Sequence, residues 1–198
     1  MVGQRVALRQ EARRREVMEA AVAIFSERGY RAASMADVAA RLGMGKASLY
    51  HYVGSKEELL IELYEDVLRE SVIAARRIAA SEGAALDALA ELIADRVAYT
   101  CHNRALLRIF FEEEAELPQR QQARLFSVRH EYEETLLEVV AAGEAAGEFA
   151  LPTTPTIFVN TLLGAANWTY KWYQPAGPLT PEALGAQIAG ILLAGLRS

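Results

Sequence analysis

Ser34-Met-Ala-Asp-Val-Ala-Ala-Arg-Leu-Gly43-Met-Gly-Lys46-Ala-Ser-Leu-Tyr50-His-Tyr52 is the stretch that decides the reading of this chain. Ser34 followed three residues later by Asp37 is a capping box, which opens a helix by satisfying two orphan amides reciprocally. Gly43 and Gly45 bracket a turn, and a second short helix is expected from Lys46 to Tyr52. Two short helices joined by a glycine-containing turn have helix-turn-helix spacing. Val38, Leu42, Met44 and Leu49 would lock the pair, leaving Lys46, Ala47, Ser48, Tyr50 and His51 on or near the opposite face. Such a face can enter a major groove, with Lys46 as the charged donor and the hydroxyls and imidazole as neutral ones. Ser34 and Lys56 flank the motif, placed to meet the sugar-phosphate backbone and fix register. Spacing alone leaves DNA binding and a plain helical bundle about equally open.

Outward from that stretch, apolar residues recur at helical spacing in nearly every segment and none alternates with period two. The expectation is an all-α chain of about nine helices. The first covers about Arg9 to Arg28, with Val17, Ala20, Ala21, Ile24 and Phe25 on one face and Gly29 as its stop. The fourth starts at Ser55, with Glu58 at the capping-box position, and carries Leu59, Leu60, Leu63, Tyr64, Val67 and Leu68 inward. Later helices are expected near 84–101, 104–115, 119–142, 155–173 and 181–196, punctuated by prolines and glycines. Pro155 and Pro181 each follow a threonine, the order of an N-cap and its first helical residue. Gly164, Ala165, Ala166, Gly185 and Gly190 in the last two helices permit close approach, so that pair is the candidate dimer interface; intramolecular packing alone is the plainer alternative.

Composition is that of a folded globular protein, with 52% hydrophobic and 24% charged residues. No apolar run approaches the roughly 18 residues of a membrane span or forms a secretory signal, so a cytoplasmic location is expected. The net charge of −5 hides a polarity. Residues 1–56 carry ten Lys or Arg against five Asp or Glu, whereas residues 57–198 carry eleven against 21. A basic head on an acidic body directs one end towards phosphates. Cys101 is the only cysteine, which excludes an internal disulfide, and its apolar stripe makes it a buried thiol. His51, His102 and His130 lack ligand spacing, and Glu112-Glu-Glu114 with Glu116 is expected to be a solvated face, so no metal is expected. Nucleophile elbows, phosphate loops and His-Glu-x-x-His are absent from the sequence, which argues against an enzyme and for no cofactor.

Phe25-Ser-Glu-Arg-Gly-Tyr30, Ser34-Met-Ala-Asp-Val-Ala39 and Gly45-Lys-Ala-Ser-Leu-Tyr50-His-Tyr-Val-Gly-Ser-Lys56 together resemble the DNA-binding domain of the TetR family. The resemblance implies a helix-turn-helix domain over residues 1–56, an effector-binding and dimerisation domain over residues 57–198, and a homodimer that represses from a palindromic operator in double-stranded DNA. Its contact positions would be Ser34, Met35, Gly45, Lys46, Ala47, Ser48, Tyr50, His51 and Lys56. Val53 stands where the family usually has phenylalanine, which points to a repacked core position, and Met35 follows Ser34 where a threonine is frequent nearby.

The second domain holds Tyr99, Phe110, Phe111, Phe126, Arg129, His130, Asn167 and Trp168, an apolar set with a few polar groups of the kind a small-molecule effector site needs. Each aromatic taken singly is more simply a core residue. Gly164-Ala-Ala-Asn-Trp-Thr-Tyr-Lys-Trp-Tyr173 and the segment after it resemble the C-terminal end of TetR relatives that respond to acyl-CoA thioesters, the regulators of fatty-acid, phenylacetate and sterol breakdown. That resemblance implies an acyl chain between helices, with Arg104, Arg108, Arg129 and Lys171 available to the CoA phosphates. A drug-like or aromatic ligand, or a helical adaptor that has lost DNA binding, are the other readings.

Overall fold

The computed structural model describes residues 2–114 and 117–196, with side chains from Arg9 onward. Among these residues there are nine α-helices, one closing 3₁₀ turn and no strand: α1 Val2–Arg28, α2 Met35–Arg41, α3 Lys46–Leu49, α4 Lys56–Ala79, α5 Ala85–His102, α6 Arg104–Glu113, α7 Gln119–Ala145, α8 Pro155–Trp172, α9 Pro181–Leu193 and the turn Ala194–Leu196. The expected elements are all present. α1 begins at Val2, before the expected start near Arg9. α3 is shorter, since Tyr52 and Val53 close turns back onto Leu49 before the chain reaches the cap of α4.

The chain folds into two compact units, one formed by residues up to Glu65 with Ala105–Gln122, the other by Asp66–Arg104 with the residues from Ala123 on. None of the three borders along the chain falls at Lys56, the division read from charge. In the first unit α1 buries Val17, Ala21, Ile24 and Phe25 with Val38, Leu49 and Val53, and α4 adds Leu59, Leu60 and Ile61. Val53 is buried, so the core has closed over the smaller side chain. α6 belongs here because Phe110 stacks on Tyr64, with ring centroids 3.4 Å apart and planes 3° from parallel.

In the second unit α5 packs against α8 and α9. Leu89, Leu92, Ile93 and Val97 of α5 are buried, as are Leu136 and Val140 of α7, Phe158 and Leu162 of α8, and Leu184 and Leu193 of α9. The Thr-Pro starts form as expected: Thr154 Oγ1 accepts from Ile157 N at 3.4 Å, and Thr180 Oγ1 from Ala183 N at 3.2 Å. Cys101 is buried in this unit, and burial pushes its thiol up.

Candidate functional site

The helix-turn-helix stretch is built by its caps. Ser34 N donates to Asp37 Oδ2 at 2.8 Å, Asp37 N donates to Ser34 Oγ at 3.3 Å, and Ser34 Oγ donates to Asp37 Oδ2 at 2.7 Å. These bonds from Ser34, with the Arg28 guanidinium alongside, hold the Asp37 carboxyl below the usual carboxylate range. At the other end Gly43 adopts φ +62°, Gly43 N donates to Ala40 O, and Met44 N donates to Ala39 O at 3.0 Å. This pair of bonds is a Schellman motif, which needs a left-handed residue and therefore favours glycine. It turns the chain so that α3 begins two residues later.

Leu49 is the buried anchor of α3, while Lys46, Ala47, Ser48, Tyr50 and His51 are exposed. Lys46 Nζ lies 5.9 Å from the Tyr50 ring centroid. Gly45, the N-cap, contributes no side chain, so backbone is what it offers a phosphate. The side chain of Met35 is buried, and what remains at that position is the amide of the first turn of α2, which has no partner within the helix. Ser34 spends its hydroxyl proton on Asp37. Lys56 extends over the Tyr30 ring, 4.3 Å from its centroid, and donates to Arg31 O at 3.5 Å; partial burial there draws its ammonium pKa down.

Residues outside the sequence reading also belong to this face. His51 shares an open cleft of about 410 Å³ with Gln10, Glu11, Arg14 and Tyr52, and Arg14 is held there by Glu62 at 2.9 Å. The signal for them was the arginine run Arg13-Arg-Arg15, legible as charge but not as position.

The expected effector residues are divided between the two units. Phe110 is fully buried in the stack on Tyr64, and Phe111 makes an edge contact with the same ring, both within the first unit. The other six lie in the second unit. Tyr99 donates to Val67 O at 2.6 Å and to Glu70 at 3.0 Å, and burial raises its phenol pKa. Phe126 is exposed and stacks on His130 one turn later, and His130 reaches Glu134 at 3.2 Å. Asn167 accepts from Arg96 Nε at 2.9 Å, Arg129 is half-buried, and Trp168 is 58% exposed. Of the basic candidates for CoA, Arg108 pairs with Glu112 at 3.2 Å in the first unit, while Lys171 lies 5.3 Å from the Tyr170 ring in the second. Arg104 belongs to the second unit and is half-buried.

The acidic run divides as well. Glu113 is mostly covered and bonds Arg31 at 3.0 Å, so it is no free solvated carboxylate; Glu116 lies outside the described residues. No described helix is long and apolar enough to cross a membrane.

α8 carries an exposed stripe of Ile157, Trp168 and Trp172, spaced by turns of the helix, and α9 exposes Ile191. A Cβ added to Gly164 or Gly190 would meet nothing within 4 Å. These two helices therefore present large apolar groups beside open, small positions.

Comparison with known proteins matches residues 17–63 to the model described as bacterial regulatory proteins, tetR family, and residues 82–196 to the tetracyclin repressor-like C-terminal domain. The chain is 31% identical over 194 residues to the HTH-type transcriptional repressor KstR2 of Mycobacterium tuberculosis, covering 97% of this chain and 96% of that protein. The solved ketosteroid transcriptional regulator KstR2 of Mycobacterium tuberculosis superposes with a TM-score of 0.83 at 29% identity, covering 94% of this chain and 95% of the other. The regulator AibR, solved with isovaleryl coenzyme A and operator DNA, superposes with a TM-score of 0.74 at 25% identity, covering 90% of this chain and 97% of the other. These relatives are regulators and not enzymes, and the chain belongs to the TetR family of bacterial transcriptional regulators.

Proposed function

We propose that this chain is a cytoplasmic, homodimeric repressor that holds a palindromic operator until a small-molecule effector, an acyl-CoA thioester, releases it. The observation that carries the DNA half is the exposed row Lys46, Ala47, Ser48, Tyr50 and His51 on a helix anchored by Leu49 and set by the Gly43 turn. Lys46, Ser48, Tyr50 and His51 read base edges. Gly45, the Met35 amide, Ser34 and Lys56 meet phosphates. Two such helices about 34 Å apart, one per protomer, would enter successive major grooves.

The exposed stripe of Trp168 and Trp172 supports a homodimer, because large aromatic groups on an otherwise folded surface signal a partner. The effector class is supported by AibR, whose solved form holds isovaleryl coenzyme A with operator DNA. Tyr99, Arg129 and Asn167 of the second unit are the candidates for ligand contact. Phe110 and Phe111 are left out, because Phe110 is buried in the stack on Tyr64 and Phe111 packs edge-on against the same ring in the first unit.

In vitro selection of random duplexes at two salt concentrations, repeated with acyl-CoAs added, tests the reading. Recovery of a palindrome with steeply salt-dependent affinity, abolished on addition of a thioester, is the expected result. Recovery of no sequence would remove the DNA-binding assignment.

A further inference from the structure

The second unit contains a buried cation that no described carboxylate pairs. Arg96 on α5 is 5% exposed. Its Nε donates to Asn167 Oδ1 at 2.9 Å, its Nη1 donates to Ser71 Oγ at 3.2 Å, and its guanidinium lies 5.1 Å from the Tyr132 ring centroid. All three partners are neutral. The sequence neighbour Asp95 supplies an opposing charge at longer range, yet burial pushes its own carboxyl up. A guanidinium brings five N–H donors in a fixed fork, and two of those of Arg96 are placed on described acceptors, neither of them charged. Such an ion is unfavourable without a counter-group.

One turn further along α5, Thr100 is fully buried and its Oγ1 has no hydrogen-bond partner. Residues four apart share one face of a helix. Arg96 and Thr100 thus present, from the same side of α5, a buried cation whose contacts are all neutral and a hydroxyl with no described partner. Leu92, Ile93 and Val97 of α5, Leu136 of α7 and Leu162 of α8 are buried apolar residues of the same unit. An oxygen acceptor on an apolar body is the chemistry that meets both needs.

We propose that Arg96 and Thr100 form the polar anchor of the effector site, receiving the acyl oxygen of an apolar carboxylic acid or of its thioester. The anchor rests on the effector reading given above. It also adds a connection: the groups already holding Arg96 are Ser71 of α4, Tyr132 of α7 and Asn167 of α8, so an acceptor arriving at the guanidinium competes for the donors that tie those helices together.

The test uses the full chain with its selected operator and, as probes, isovaleryl-, palmitoyl- and cholyl-CoA, the three free acids, and coenzyme A alone. Binding is measured by calorimetry and by operator release. Thr100→Val keeps shape and removes only the unpartnered hydroxyl. It should retain the melting temperature and operator affinity, and weaken the responding probe about three- to tenfold. Arg96→Met should weaken it about ten- to a hundredfold, with Arg96→Lys in between. Response to acid and thioester alike identifies a carboxylate-type contact, and response to thioesters only identifies the carbonyl. A wild-type response that Thr100→Val and Arg96→Lys both share at full affinity overturns the anchor and leaves the effector reading standing; these two variants decide the matter even if Arg96→Met does not fold. Silence of the wild type to every probe overturns the anchor and the acyl-CoA reading together.

Discussion

Gly185 on α9 faces the backbone of α5 so closely that a Cβ built on it would stand 2.5 Å from the carbonyl oxygen of Ala94. Backbone cannot step aside as a flexible side chain can. Gly185→Ala therefore forces α9 away from α5, at about 1–3 kcal/mol. Thermal unfolding should show a melting temperature lower by several degrees. Gly190→Ala is the control, since its Cβ would meet nothing within 4 Å. In the isolated protomer it should be neutral or mildly stabilising, by up to about 1 kcal/mol from helix propensity.

Lys46→Ala combined with Tyr50→Ala should weaken operator binding by about 1–3 kcal/mol for each base edge that is no longer read. Both side chains are exposed, so the melting temperature should hardly move. Leu49→Ala does the opposite. It empties a fully buried position, costs about 2–5 kcal/mol, and abolishes binding through loss of the fold. Fluorescence anisotropy against thermal melting separates the two. Unchanged affinity in the double variant would remove the recognition-helix assignment.

Asp37 gives a pH signature. Its carboxyl pKa is lowered in the folded chain by hydrogen bonds from Ser34 and by Arg28. The stabilisation is therefore present above the unfolded value of about 3.9 and is lost as pH falls through the lower folded value. Melting curves of the parent and Asp37→Asn should differ at neutral pH, and the difference should shrink below about pH 4. A gap that widened on acidification would contradict the capping box.

Trp168→Glu should leave the protomer folded, because the indole is exposed, and dissociate the proposed homodimer, because a carboxylate cannot be buried unpaired in an apolar interface. Analytical ultracentrifugation reads the outcome. Operator affinity should fall with dimer population.

Phe110→Ala separates a core role from a ligand role. Removal of the ring stacked on Tyr64 should cost about 3–5 kcal/mol. The effector response of whatever protein remains folded should be unchanged.

The sequence was most legible where a local rule has local partners. Ser34 and Asp37 are three residues apart and satisfy each other, so the start of α2 could be read without knowing anything else. The Thr-Pro starts of α8 and α9 were equally readable. The exposed row Lys46, Ala47, Ser48, Tyr50 and His51 followed from Leu49 being the apolar anchor. Met35 shows the limit, since nothing in the sequence says that the residue after the cap turns inward. Phe110 and Arg96 show a second limit. Aromatic composition marks a residue for burial but not for a particular neighbour, so Phe110 looked like a ligand contact and is a core stack. Arg96 looked like one more charge on a helix, and its burial depends on α4, α7 and α8 arriving around it from elsewhere in the chain.

The prolines that open α8 and α9 act on the chain before it folds as well as after. A residue with its φ already fixed has fewer conformations to surrender, so both helices begin from a narrowed ensemble. The helix carrying Trp168 and Trp172 then has its first turn specified within a single protomer, and no second chain is needed to nucleate it. In the homodimer proposed for this chain, association would then join faces that each protomer has already formed, so that the supply of protomers would set how quickly repression is established.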